Sequence, residues 1–224
     1  MKTIGIIGGL GPESTCEFYR LITRYYYDRY GDYNYPEIII YSVIFKKIID
    51  CGYESTGEII QAIERLHRAG ADFVVAPCNS IHLVYEAVSQ DIPIPWISIM
   101  DATAESVRCK NLYKVGLLGT RFTMSGNFYR DTLSRHGIET VVPDKDSQEI
   151  INDIIYNELV RNCVTEKSRR YVLHCINDLQ EKGARGIVLG CTELPFLISQ
   201  KDVSIPVFDT TALYAHKALD LSLE

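Results

Sequence analysis

Two cysteines stand at matching places in this chain. Cys78 closes the run Asp72-Phe73-Val74-Val75-Ala76-Pro77, and Cys191 closes Gly186-Ile187-Val188-Leu189-Gly190. Gly70-Ala71 and Gly183-Ala184 precede them, with eight positions from Gly to Cys in both copies. Small polar residues follow, Asn79-Ser80 and Thr192-Glu193, and then apolar residues (Ile81, Val84, Tyr85, Val88; Leu194, Phe196, Leu197) that predict a helix after each. A thiol between a strand's carboxyl end and a helix N-terminus meets orphan N–H groups and the positive dipole end, which stabilise an anion and lower a thiol pKa. Asn79, Ser80 and Thr192 would suit a carboxylate ligand there. Cysteines that merely fill buried strand ends are the plainer account, since free Cys is among the most buried residue types. Matched positions in both halves favour the reactive reading.

Two acid/base groups on opposite faces of one carbon are what stereoinversion needs. One removes the α-proton as thiolate; the other, as thiol, delivers a proton to the opposite face, and the roles reverse for the other enantiomer. The α-proton of an amino acid is weakly acidic, so N–H donors around the carboxylate and exclusion of water must stabilise the carbanion. No motif provides for a metal or an aldehyde cofactor. His82, four residues after Cys78, lacks further ligands and reads as a structural residue that orients the loop or tunes the thiol. Glu193 reads as a ligand for an amino group or as a cap of the following helix. Gly9-Leu10-Gly11-Pro12-Glu13-Ser14 half matches a dinucleotide fingerprint, but the third Gly is missing and no acid ends the second strand.

Apolar runs bounded by turn residues alternate with amphipathic stretches, the pattern of a parallel sheet with crossover helices, so the class is α/β. Strands are predicted at Thr3 to Ile7, Glu37 to Val43, Phe73 to Ala76, Trp96 to Ile99, Lys114 to Leu118, Ile187 to Leu189 and Pro206 to Phe208; helices include Ser14 to Tyr27, Gly57 to Ala69 and Glu166 to Lys182. The second half of the chain repeats the first. Lys2 to Gly8 resembles Tyr113 to Gly119 at an offset of 111, Phe18-Tyr19-Arg20 recurs as Phe128-Tyr129-Arg130 at 110, the Gly-to-Cys segment recurs at 113, and Asp91 to Pro95 recurs as Asp202 to Pro206 at 111. Four matches in one order predict two similar lobes, each a parallel sheet flanked by helices, related by a pseudo-twofold axis. The candidate site lies in the cleft between them, with one cysteine on each wall.

Composition bounds the alternatives. Of 224 residues, 46% are hydrophobic and 23% charged, which is ordinary for a globular chain, and no apolar run approaches the roughly twenty residues of a membrane span. Twenty-three Lys and Arg against 29 Asp and Glu give a net charge of -6 without a basic block, which argues against nucleic acid. Lys2 and the apolar Ile4 to Leu10 are broken by Gly8, Gly9, Gly11 and Pro12, and read as a first strand rather than a signal peptide. Seven cysteines, an odd number without metal-ligand spacing, predict reduced thiols in the cytoplasm. The tyrosines at 25–27, 30, 33 and 35 are expected to cover a helix and its following loop.

Taken together, Gly8-Gly9-Leu10-Gly11-Pro12-Glu13-Ser14-Thr15, Pro77-Cys78-Asn79-Ser80-Ile81-His82 and Gly190-Cys191-Thr192-Glu193 make the chain similar to the aspartate/glutamate racemase superfamily, aspartate racemases and related amino-acid racemases in particular. The resemblance covers nearly the whole chain. It implies a cofactor-independent two-base racemase acting on an amino acid as its small-molecule substrate, usually a homodimer, with Cys78 and Cys191 as opposed catalytic thiols. Asn79, Ser80 and Thr192 would hold the α-carboxylate or amino group, joined by Thr120 and by backbone near Leu10. It also implies that the last helix packs back on the first lobe, giving lobe one as 1–100 plus 210–224 and lobe two as 101–209. Leu10 stands where many relatives have Met. Ser42 to Lys47 and Gly119 to Met124 look more like the broad-specificity branch, whereas Cys78 is the residue of the aspartate type. The basic side chains that meet the distal carboxylate in aspartate enzymes are not matched position for position, and Lys46, Lys47 and Arg161 are the candidates for that role. The expectation is aspartate racemization, with a broad-specificity racemase or epimerase, or a noncatalytic two-lobed carboxylate sensor, as alternatives.

Overall fold

A computed structural model describes residues 1–224. The chain forms two compact units, Met1–Ile99 with Thr211–Glu224, and Met100–Thr210. In the first, β1 (Ile4–Gly8), β2 (Ile38–Ser42) and β3 (Phe73–Val75) form a parallel sheet in the order β2-β1-β3. Every residue of β1 is buried, as its unbroken apolar run requires of a central parallel strand, whereas β2 is partly exposed at the edge.

The helix Pro12–Tyr30 buries Phe18, Ile22 and Tyr26 at intervals of four and stops at Gly31, whose φ of 72° lets its N–H close on the Tyr27 carbonyl. Thr56–Arg68 buries Ile59, Ala62, Ile63 and Leu66 in the same manner. From the other end of the sequence, Tyr214 of the helix Thr210–Leu223 packs on Phe18 with ring centroids 5.4 Å apart.

The second unit carries β4 (Lys114–Gly119), β5 (Glu139–Val141), β6 (Ile187–Gly190) and β7 (Val207–Asp209), all parallel, in the order β5-β4-β6-β7. Three strands of each sheet thus share one arrangement, with the first strand of the unit between the second and third. The fold class is α/β, two parallel sheets flanked by helices. Burial refines the repeat: Phe18 and Tyr129 are both fully buried, while Tyr19 is exposed, so the helix positions correspond at an offset of 111 rather than the 110 that aligns the letters.

Two elements differ from the pattern expected of the sequence. Trp96 to Ile99 makes a single bridge, Trp96 to Val74, before the helix Ile99–Cys109 begins; Pro95 ahead of it and the helix behind it leave no room for a strand. In its place as a strand stands β5, three partly exposed residues after Gly137 (φ 72°), too short and too polar to register as an apolar run.

Candidate functional site

Register brings the chemistry-bearing loops of the first unit together. Ile6 pairs with Val75, so the turn leaving β1 and the segment Ala76 to Ser80 leaving β3 emerge side by side. The turn is built on glycine. Gly9 and Gly11 have φ of 81° and 88°, a region that costs other residues strain, and a Cβ on Gly8 would lie 2.6 Å from Thr15 Cγ2. Thr15 holds the turn from within: the Gly9 N–H donates to its hydroxyl (3.0 Å), which donates to the Gly11 carbonyl (3.0 Å). Leu10 is buried at the tip. On the segment leaving β3, Cys78 is 8% exposed, and Asn79 and Ser80 are buried. The Cys78 N–H donates to the Ala76 carbonyl at 2.7 Å.

In the second unit Gly119 pairs with Gly190, which makes Thr120 and Cys191 the next residues on neighbouring strands. Thr120 is buried and caps the short helix Arg121–Ser125, its hydroxyl accepting from the Thr123 N–H. Cys191 is 6% exposed. Its thiol donates to Glu193 Oε2 at 3.1 Å, and the Thr192 hydroxyl donates to the same oxygen at 2.6 Å. Glu193 is the N-cap residue of the turn Leu194–Phe196, yet its side chain makes no capping bond. Of the roles the sequence left open, the cap is therefore not taken; the carboxylate turns back to the thiol. A carboxylate that accepts from S–H can take up and return the proton of that sulfur.

The structure that follows the two cysteines differs between the units. Cys78 is followed by the helical stretch that the apolar spacing had predicted, a 3₁₀ turn Ser80–Val84 running directly into the α-helix Tyr85–Val88, whereas Cys191 is followed by only a three-residue 3₁₀ turn, Leu194–Phe196. The turn after Cys191 aligns too few peptide units to build the macrodipole of a long helix.

The remaining candidates are exposed. Lys46 pairs with Asp50 (2.9 Å) and Lys47 with Glu58 (3.0 Å), with 80% and 55% of their side chains exposed. Arg161 ends the 3₁₀ turn Leu159–Arg161 and is exposed. No three His, Cys, Asp or Glu side chains cluster as a metal site, and no helix is long and apolar enough to cross a membrane.

With this geometry in hand, comparison with known proteins is decisive at one level. The family model for Asp/Glu/Hydantoin racemase matches residues 7–218. The chain belongs to that family. A broad specificity amino-acid racemase, RacX of Bacillus subtilis, is 27% identical over 229 residues, 98% of either chain. The crystal structure of an aspartate racemase homologue from Pyrococcus horikoshii superposes with a TM-score of 0.90 at 39% identity, covering 100% of both chains. An aspartate racemase from Picrophilus torridus gives 0.78 at 26% identity, over 99% of this chain and 94% of that one. The family is one of isomerases, and the α/β architecture with two parallel sheets is the family fold.

Proposed function

We propose that this member of the family racemises aspartate by a two-base mechanism, with Cys78 and Cys191 acting on opposite faces of the α-carbon. The observation that carries the reading is the pair of equivalently placed, nearly buried strand-end thiols, one already hydrogen-bonded to a carboxylate. In one direction the Cys78 thiolate takes the α-proton, the electron pair of the broken C–H bond stays on carbon, and the Cys191 S–H gives its proton to the other face. Cys78 ends as thiol and Cys191 as thiolate, ready for the reverse reaction. Asn79, Ser80, Thr120 and Thr192 serve the α-carboxylate and amino group, with backbone near Leu10. Lys46, Lys47 or Arg161 meets the distal carboxylate. The proposal includes a homodimer in a reducing cytoplasm.

The ion pairs of Lys46 and Lys47 favour a second reading, a broad-specificity amino-acid racemase, because a distal carboxylate would first have to displace Asp50 or Glu58. Solvent deuterium incorporation at the α-carbon of a panel of D- and L-amino acids, read by mass and chirality, tests both. Aspartate alone taking up label supports the first reading, and label in many amino acids the second. Cys78→Ala and Cys191→Ala should each lower exchange by about 100-fold or more, the usual scale of a lost acid or base. Binding without any exchange in the native protein identifies a carboxylate sensor and ends the racemase reading.

A further inference from the structure

We infer that His82 is the positioning residue of Cys78: a neutral imidazole, protonated at Nδ1, that holds the backbone of the thiol-bearing residue and relays no proton. The inference rests on the reading of Cys78 as a reacting thiol. His82 is 1% exposed, and both ring nitrogens meet backbone groups of fixed character. Nδ1 lies 2.9 Å from the Cys78 carbonyl oxygen, which can only accept, so Nδ1 carries the hydrogen. The Ile99 N–H, which can only donate, points at Nε2 across 3.2 Å, so Nε2 presents its lone pair. An imidazolium would set N–H against N–H at this second contact. The tautomer is thereby dictated by the partners, as it is for a histidine whose ring nitrogens have distinct jobs.

The ring is also clamped in place. Trp96 lies 4.9 Å from it between centroids, Tyr85 5.9 Å and Tyr214 6.0 Å. Beyond it runs a chain of bonds through the segment that bears the thiol. The Tyr214 hydroxyl accepts from the Ala76 N–H (3.2 Å) and donates to the Ile97 carbonyl; the Ala76 carbonyl accepts from the Cys78 N–H; the Cys78 carbonyl accepts from His82. Both peptide groups flanking the Cys78 side chain are fixed in this way, which leaves the sulfur its side-chain torsion as its main freedom. At its other nitrogen His82 satisfies an N–H in the first turn of Ile99–Cys109, one of the donors a helix leaves without an internal partner. A displacement of about 1 Å of a reacting group costs up to about 100-fold in rate, so a side chain that fixes Cys78 acts on turnover without touching substrate.

Two near-isosteric variants separate the two bonds. In His82→Asn the amide NH₂ reaches the place of Nδ1 and keeps the donor to Cys78; in His82→Gln the amide oxygen reaches the place of Nε2 and keeps only the acceptor for Ile99. The expected result is that H82Q loses kcat by about tenfold or more with KM little changed, while H82N recovers most of that loss. Iodoacetamide labelling of Cys78, followed by peptide mass spectrometry, should change in H82Q and stay near native in H82N. In the native protein, ¹⁵N-histidine spectra near neutral pH should show one ring with a protonated Nδ1 and a bare Nε2, assigned to His82 by its absence in either variant. An Nε2–H tautomer, an imidazolium, or equal losses in H82N and H82Q overturn the inference. The spectrum and the labelling need no substrate, so they decide the role of His82 even where the absence of deuterium exchange has sunk the racemase reading, and the native spectrum decides it if neither variant folds.

Discussion

At Cys191 the thiol and the Thr192 hydroxyl converge on one oxygen of Glu193, and a charged acceptor makes such bonds about twice as strong as neutral ones. Glu193→Gln keeps the size of the side chain and removes its ability to take a proton. Its expected effect is a fall in kcat of at least about tenfold with an unchanged melting temperature, read by the decay of aspartate's optical activity in parallel with a thermal scan. Equal kcat in E193Q and the native protein would show that the carboxylate takes no part. The matching strand-end places of Cys78 and Cys191 were legible in the sequence because a Gly-to-Cys spacing recurs in both halves. The partner of Cys191 was not. A glutamate ahead of a turn is equally compatible with capping and with ligand binding, and only the direction in which the carboxylate folds back distinguishes them. Lys46 and Lys47 illustrate the same limit, since Asp50 and Glu58 become their partners only once the helices Phe45–Asp50 and Thr56–Arg68 are placed.

Elements position these residues through close backbone approach, and glycine marks where it occurs. A Cβ on Gly119, at the end of β4, would lie 2.8 Å from the Gly190 carbonyl oxygen and 3.0 Å from Thr123 Cβ, so a backbone atom of the strand carrying Cys191 would have to move. Gly119→Ala should cost about 1–3 kcal/mol, as overpacking does, and should lower activity along with the melting temperature. Gly57 offers the control. It sits in the helix Thr56–Arg68 with nothing within 4 Å of where an alanine methyl group would stand, so Gly57→Ala should stabilise by roughly 0.5 kcal/mol through helix propensity, measured by denaturant unfolding. Alternation of apolar runs with amphipathic segments revealed six of the strands, because a buried parallel strand reads as continuous apolar sequence. It missed β5, whose three residues pair with β4 through backbone groups and bury little, and it mistook Trp96 to Ile99, where burial comes from a bridge and a helix start.

At the scale of the whole chain, the first unit is discontinuous: its final helical segment, Thr211–Glu224, is made after the entire second unit. The segment is docked by particular contacts. Besides Phe18–Tyr214, His216 stacks on Tyr25 at 3.5 Å, Arg29 pairs with Asp220 at 2.7 Å, and the Lys2 N–H donates to the Ser222 carbonyl at 2.8 Å. Burial against Tyr25 holds the His216 pKa below its ordinary value, chiefly by desolvation, so the folded state resists its protonation more than the unfolded chain does. This contribution is therefore complete above about pH 6.5 and declines as the pH falls through the folded-state value; His216→Gln should flatten the fall of the melting temperature in that window. The Tyr214 hydroxyl makes the sharpest test of the helix's role, because it satisfies the Ala76 N–H and the Ile97 carbonyl at once, and burial pushes its pKa well up. Tyr214→Phe keeps the ring on Phe18 but leaves both backbone groups without that partner, at a cost of about 1–3 kcal/mol for each group left unsatisfied. Hydrogen exchange should then show faster opening of β1, β3 and the Cys78 segment, with β4 to β7 protected as before, since unit stability is local when the lost bonds are. Uniform loss of protection across both units would mean instead that the last helix supports the whole chain rather than the end of β3.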